Sequence, residues 1–256
     1  MSKMNSLYVS LLALVAALVA LGMCIHCCAQ KQSLSVEETL NNNPEIIINA
    51  MQNYEQKMRE QAAAEAQKMI EANLPALNND ANTPFIGAAD AKTVLVEFFD
   101  FSCHYCHKVY PAVKKIAEAN PDIKIVFKPL TFVAPISQYA AKAALAANEQ
   151  GKFFDAYKAI FEFEGRPDEA KVDELVASTG VDMEKLKADM NSAKVNNALS
   201  SINDLAGKIQ VNGVPALFLN GKQLQTIDGA EIQRQIDSVK SVSYTHLRAH
   251  ETKANL

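Results

Sequence analysis

The chain has 256 residues, 49% apolar and 21% charged, which allows one large domain or a medium one with extensions. A formal net charge of −4 offers no broad basic surface, so no nucleic-acid partner is expected. Its five cysteines (Cys24, Cys27, Cys28, Cys103 and Cys106) are too few and too clustered for a disulfide scaffold.

Residues 1–29 read as an export signal. Lys3 supplies a short positive start, Leu11 to Leu21 is unbroken apolar sequence, and Cys27-Cys28-Ala29 provides the small residues of a cleavage site. Cleavage before Gln30 removes three of the five cysteines and leaves one pair. An uncleaved N-terminal anchor is the other reading, because about 20 apolar residues can span a bilayer. A lipoprotein signal ending at Cys24 fits less well, since Met23 is a poor residue at that junction. Each reading exports the chain to an oxidising compartment, the periplasm, where a dithiol can work on disulfides.

Residues 30–84 form a helical arm and linker. Ser35 and Glu38 have capping-box spacing, and Asn43-Pro44 offers a second helix start. Ile47, Met51, Tyr54, Met58, Ala62, Ala66 and Met69 then recur at steps of three and four, predicting one long helix to about Asn73. Such a helix cannot bury its stripe alone. It packs on its own domain, or it joins copies of the chain through residues 35–74, because the spacing approaches the coiled-coil period. Pro75 and the polar run from Asn78 to Pro84 predict a linker.

Thr93 to His107, TVLVEFFDFSCHYCH, predicts a buried strand running into a helix start. Cys103 falls where free backbone N–H groups and the helix dipole stabilise a thiolate, and Cys106 lies one turn further in. His104 between them can add positive charge. The pair reads as a redox dithiol. Ile123 to Phe127 is a second strand with Lys128 at its end, and a helical region follows from Val133-Ala134-Pro135, broken at Pro167 and Gly180. A helical subdomain, about residues 134–206, is thus inserted into a small sheet.

Strand character returns over Ile209 to Lys222, where Asn220-Gly221 is a strong hairpin signal with Gln223 to Ile227 as the return strand. Pro215 opens an apolar strand although proline removes a ladder donor, and a cis bond after Val214 explains it. Glu231 to Val239 reads as a closing helix. Val242 to Thr252, VSYTHLRAHET, looks like a translated transposase sequencing adapter and does not continue the apolar periodicity, so residues 242–256 are set aside as non-native. The metal-like spacing of His246 and His250 falls with them.

The export signal, VEFFDFSCHYC, the helical insertion and GVPALFLNG together resemble the DsbA-like family of thioredoxin-fold thiol–disulfide oxidoreductases, over about Phe85 to Val239. The arm further resembles the suppressor-of-copper-sensitivity and outer-membrane-antigen branches of that family. The resemblance implies an α/β, thioredoxin-like fold with an inserted helical subdomain, preceded by an N-terminal helical arm, and no cofactor. It implies that Cys103 is the nucleophile, Cys106 the buried resolving thiol, and His104 and Tyr105 the variable dipeptide that tunes them. Members include Pro-His there, so a redox potential does not carry over to His-Tyr. Pro215 corresponds to a cis-proline facing the dithiol, and Val214 to the residue presenting backbone to a bound substrate strand. Glu97 aligns with a buried acid below the dithiol and Lys128 with its charged partner. Exported proteins with thiols or disulfides are the implied substrates, served by a membrane redox partner.

Simpler readings stand beside these. Zinc needs two more ligands than Cys103 and Cys106, and Cys24 and Cys27 lie in the export signal, so no metal is assigned. Glu97 could lie on a solvated strand face, although a strand this apolar favours burial, and a buried carboxyl can exchange a proton with Cys106. His107 reads as a solvated helix residue and Lys128 as an ordinary strand-end lysine. Two functional classes remain. One is an enzyme, oxidase or isomerase, acting on disulfides of exported proteins. The other is a module holding a soft metal such as copper, since thiolates select Cu(I). Pro215 favours the first, because metal capture requires no cis-proline.

Overall fold

The computed structural model describes residues 14–23 and 36–254, with side chains up to Ser241. The cleavage-site residues and Ser35 lie outside the described residues. The chain divides into two compact units between Ala62 and Ala63.

The first unit is helical, with helical backbone at 14–23, α1 (Val36–Asn42) and the start of α2 (Glu45–Ala72). Asn43 ends α1 by donating its side-chain N–H to the Thr39 carbonyl at 2.9 Å, and Pro44 precedes the next helix. Ile47, Met51, Tyr54 and Met58 are each between 45% and 65% exposed. The predicted apolar stripe therefore runs along an open helix face. Among the described residues no helix is long and apolar enough to cross a membrane.

The second unit is built on a five-stranded sheet in the order β1-β3-β2-β4-β5. β2 (Val94–Phe99) and β3 (Lys124–Pro129) are parallel, joined by α4 (His104–Ala119). β1 (Phe85–Gly87) pairs antiparallel with β3, and β4 (Ala216–Leu219) pairs antiparallel with β2 and β5 (Lys222–Gln223). Every residue of β2 and β3 is buried, because helices cover both faces of the sheet. Leu95 and Phe99 pack with Cys106 and Val109 of α4 and with the insertion: α5 (Pro135–Asn148), α6 (Phe153–Phe161), α7 (Glu169–Ala177) and α8 (Met183–Met190). Val94, Val96 and Phe98 face the other way, onto Ile70 of α2, Leu77 of α3 (Leu74–Asn79), and Ile202 and Leu205 of α9 (Ala193–Lys208).

Local chemistry sets the breaks. Asp168, Asp182 and Ser192 cap α7, α8 and α9 by accepting a backbone N–H with their side chains. Asn220 and Gly221 both have positive φ, 49° and 79°, as a type I′ hairpin turn requires. Gly221 is needed twice over, since a Cβ there would come within 2.3 Å of Leu74 Cδ2.

Three features differ from the sequence reading. The run from Asn78 to Pro84 is docked and is not a linker: Thr83 and Pro84 are buried, and the Pro84 carbonyl accepts the Phe127 N–H at 2.9 Å. Lys124 also donates to Asn79 Oδ1 at 2.9 Å. A single fully buried leucine, Leu77, anchors this polar segment to the sheet. The return strand covers only Lys222–Gln223 where Gln223 to Ile227 was predicted, because pairing stops after the Leu224 N–H reaches the Leu217 carbonyl. The closing helix, α10, runs over Gly229–Ala254, so its backbone continues through the segment set aside as non-native, which holds no Gly or Pro to stop it.

Leu77→Ala should lower the stability of the second unit by about 2–5 kcal/mol, the usual cost of emptying a fully buried leucine site. Denaturant unfolding measures it, and an unchanged midpoint would return residues 74–84 to a linker.

Candidate active site

β2 ends at Phe99, and Asp100 turns the chain toward the helix. Its buried carboxylate accepts the Ser102 N–H at 2.8 Å, the Ser137 hydroxyl at 2.6 Å and the Val133 N–H at 3.0 Å. The Asp100 carbonyl accepts the Cys103 N–H at 2.9 Å. One side chain thus ties the turn before the dithiol to the entrance of the helical insertion.

Cys103 is the N-cap of α4, and its Sγ accepts the Cys106 backbone N–H at 3.4 Å. The same thiol donates to the Val214 carbonyl at 3.3 Å. A sulfur at this position faces the unpaired backbone N–H groups that open the helix. Its exposure is only 7%, less open than a free helix N-terminus, because the Val214 carbonyl lies over it. Cys106, one turn on, has no exposure at all. Burial pushes its thiol well above the usual range, opposed by a backbone hydrogen bond from Asp100 and reinforced by Cys103 and the charge of Glu97. The Val214–Pro215 peptide is cis, both residues are half-buried, and it is the Val214 carbonyl that meets Cys103.

Glu97 is fully buried, so the solvated-face reading does not hold. Burial pushes its carboxyl up to about 7, opposed by a hydrogen bond from the Tyr157 hydroxyl to Oε2 at 2.9 Å. Lys128 is not its partner. In the parallel register Glu97 lies opposite Phe127 and Lys128 opposite Phe98, so the two side chains leave opposite faces of the sheet. Lys128 donates instead to the Ala76 carbonyl at 3.0 Å and Thr83 Oγ1 at 3.2 Å, and burial pulls its ammonium down to about 8. It is a buried lysine holding α3, and no ordinary strand-end residue.

His104 and Tyr105 are exposed, with rings 5.7 Å apart. His107, read as solvated, is half-buried: its Nε2–H donates to the Phe101 carbonyl at 2.8 Å and its ring meets Phe161 edge-on. A cavity of about 600 Å³ beside the dithiol is lined by Ser102, His104, His107, Val133, Phe163 and Arg166, among others. Among the described residues no group of three or more His, Cys, Asp or Glu side chains is placed to hold a metal.

Sequence reasoning did not single out Tyr157. The available signal was chemical. A buried tyrosine needs a partner for its hydroxyl, and an acid in an apolar strand needs a donor.

The family model described as thioredoxin matches residues 78–238. The Na(+)/H(+) antiporter NhaA 3 of Salinispora tropica is 28% identical over 139 residues, 54% of this chain and 21% of the antiporter. The chain therefore spans about a fifth of the length of such antiporter relatives. Probable disulfide bond formation protein D of Bacillus cereus is 28% identical over 165 residues, 59% of this chain and 76% of that protein. Among solved structures, the catalytic domain of Proteus mirabilis ScsC superposes with a TM-score of 0.61 at 28% identity, covering 67% of this chain and 97% of that one.

Alkylating the reduced protein near neutral pH should label Cys103 well before Cys106, since Cys103 keeps some solvent contact, whereas Cys106 has none and burial holds its thiol protonated. Peptide mass mapping of a time course checks this, and equal labelling would reverse the assigned roles.

Proposed function

The chain belongs to the thioredoxin family, in its DsbA-like branch, and we propose that it is a thiol:disulfide oxidoreductase acting on exported proteins through Cys103 and Cys106. The observation that carries this reading is the inequality of the two sulfurs. Cys103 caps a helix at the edge of solvent, whereas Cys106 is sealed close to a carboxyl that titrates near neutrality. Cys103 thiolate attacks a client disulfide, and the mixed disulfide is resolved by Cys106. Glu97 takes the Cys106 proton as that sulfur becomes a nucleophile, and returns it in the opposite direction. The Val214 backbone offers an edge for an extended client segment beside the reacting sulfur. His104 and Tyr105, exposed on the approach to Cys103, tune the pair and meet the client.

Capture of a soft metal by the two thiols is the weaker reading. Metal capture requires no cis peptide beside the thiols, whereas the Val214–Pro215 bond is cis and the Val214 carbonyl meets Cys103.

Within the enzyme class we favour an isomerase assembled from several copies. An isomerase must engage a misfolded client over a broad surface, and joining catalytic units through one helical stalk multiplies contacts. The open stripe Ile47, Met51, Tyr54 and Met58, with an apolar groove formed by Leu40, Ile46 and Ala50, supports self-association of the arm. The export reading of residues 1–29 puts this activity in the periplasm, where a membrane redox partner resets the dithiol.

Refolding of scrambled ribonuclease alongside insulin reduction tests the function, and sedimentation tests the assembly. The mature protein should sediment as a dimer or trimer and reshuffle ribonuclease. Removing residues 30–62, which spares the docked base of the arm, should leave a monomer that exchanges small thiols without reshuffling. Failure of the intact protein in both enzyme assays would remove the function, and a clean monomer at micromolar concentration would favour a simple oxidase.

A further inference from the structure

Among the described residues, no cation shares the strand face that carries Glu97. Its strand neighbours on that face are Phe127 of β3 and Leu217 of β4. Both lysines of β3, Lys124 and Lys128, register with Val94 and Phe98 and so lie on the opposite face. The polar groups that reach Glu97 from the covering helices are Cys106 of α4 and Tyr157 of α6, with Tyr110 of α4 next beyond Tyr157. Of the two carboxyl oxygens, Oε2 accepts from Tyr157, and Oε1 has no hydrogen-bond partner among the described residues.

Tyr157 cannot easily turn away. Its ring meets Phe99, Phe127 and Phe161 at centroid distances of 5.2, 4.8 and 4.8 Å, and Phe154 stacks on it at 5.7 Å. A fully buried tyrosine locked in an aromatic cage presents a fixed donor at low dielectric, where one hydrogen bond to a charge has a large effect.

Resting on the oxidoreductase reading, we propose that Tyr157 is a positioning residue for exchange: its hydroxyl holds Glu97 by Oε2 and leaves Oε1 to take the proton from Cys106. The helical insertion then contributes to the chemistry as well as to the client surface. In resolution, the Cys106 S–H proton passes to Oε1 and the thiolate attacks Cys103 Sγ of the mixed disulfide. The Cys103–Cys106 bond forms, the bond from Cys103 to the client breaks, and the client sulfur leaves with the electron pair and is protonated by solvent. Two protein thiols are oxidised as one client disulfide is reduced. Among the described residues the Tyr157 hydroxyl is the group that opposes burial and keeps the carboxylate accessible near neutral pH.

The test is the pH profile of resolution, followed by acid quench and mass spectrometry after mixing reduced protein with oxidised glutathione. In the parent, resolution should rise with pH as Glu97 ionises. Tyr157→Phe, which keeps the ring, should move that inflection toward alkaline pH by roughly one to two units, the effect of losing a hydrogen bond to a charged group. Alkylation of Cys103 should not change. Glu97→Gln should remove the inflection, and adding Tyr157→Phe to it should do nothing more. Should Tyr157→Phe fail to fold, 3-fluorotyrosine at position 157, a stronger donor, should move the inflection toward acid. A profile unmoved by either replacement, or a shift that persists with Glu97→Gln, would overturn the role of Tyr157. A parent that forms no mixed disulfide with glutathione would reject the oxidoreductase reading itself.

Discussion

A strand buried on both faces must place each of its side chains in one of two interiors, and β2 is such a strand. Leu95, Glu97 and Phe99 go to the face covered by α4 and the insertion, and Val94, Val96 and Phe98 to the face covered by α3 and α9. No position on β2 is free for a solvated charge. Glu97 therefore enters an apolar layer, where burial holds its carboxyl near neutrality and a tyrosine hydroxyl must come to meet it. The same rule in β3 sends Lys128 to the opposite layer, where α3 supplies a carbonyl.

The difference between the two sulfurs follows from the end of that strand. Asp100 spends its carboxylate on the turn and on the loop entering the insertion, which fixes where α4 begins. Cys103 then falls at the N-cap and Cys106 one turn inside, under the layer that holds Glu97. One helix start thus yields a sulfur at the solvent edge and a sulfur sealed in the core. The insertion is bound to this centre at two points, Ser137 on Asp100 and Tyr157 on Glu97, so it is continuous with the dithiol's surroundings.

Much of this was legible in the chain, where a residue type had only one use. A strand-to-helix Cys-x-x-Cys, Asn-Gly between apolar runs and Val-Pro before a strand each carry their geometry locally, and the structure places a helix N-cap, a positive-φ turn and a cis bond there. Features decided by distant contacts were not legible. The side of the sheet taken by Lys128 depends on the parallel register with β2, which no local pattern encodes. The segment from Asn78 to Pro84 reads as polar and loop-like, and its docking depends on Leu77 and on bonds to Lys124, Phe127 and Lys128. His107 is drawn inward by the Phe101 carbonyl and Phe161, and Tyr157 is indistinguishable from its apolar neighbours until Glu97 is seen beneath it.

The central claim is that the two sulfurs act in sequence, the capping one first and the buried one second. Covalent trapping tests it most directly. With Cys106→Ser, incubation with a disulfide-containing client should accumulate a mixed disulfide on Cys103, visible as a mass increase that reductant removes. With Cys103→Ser, the remaining buried thiol should give almost none. Comparable trapping by both variants, or by neither, would contradict the account.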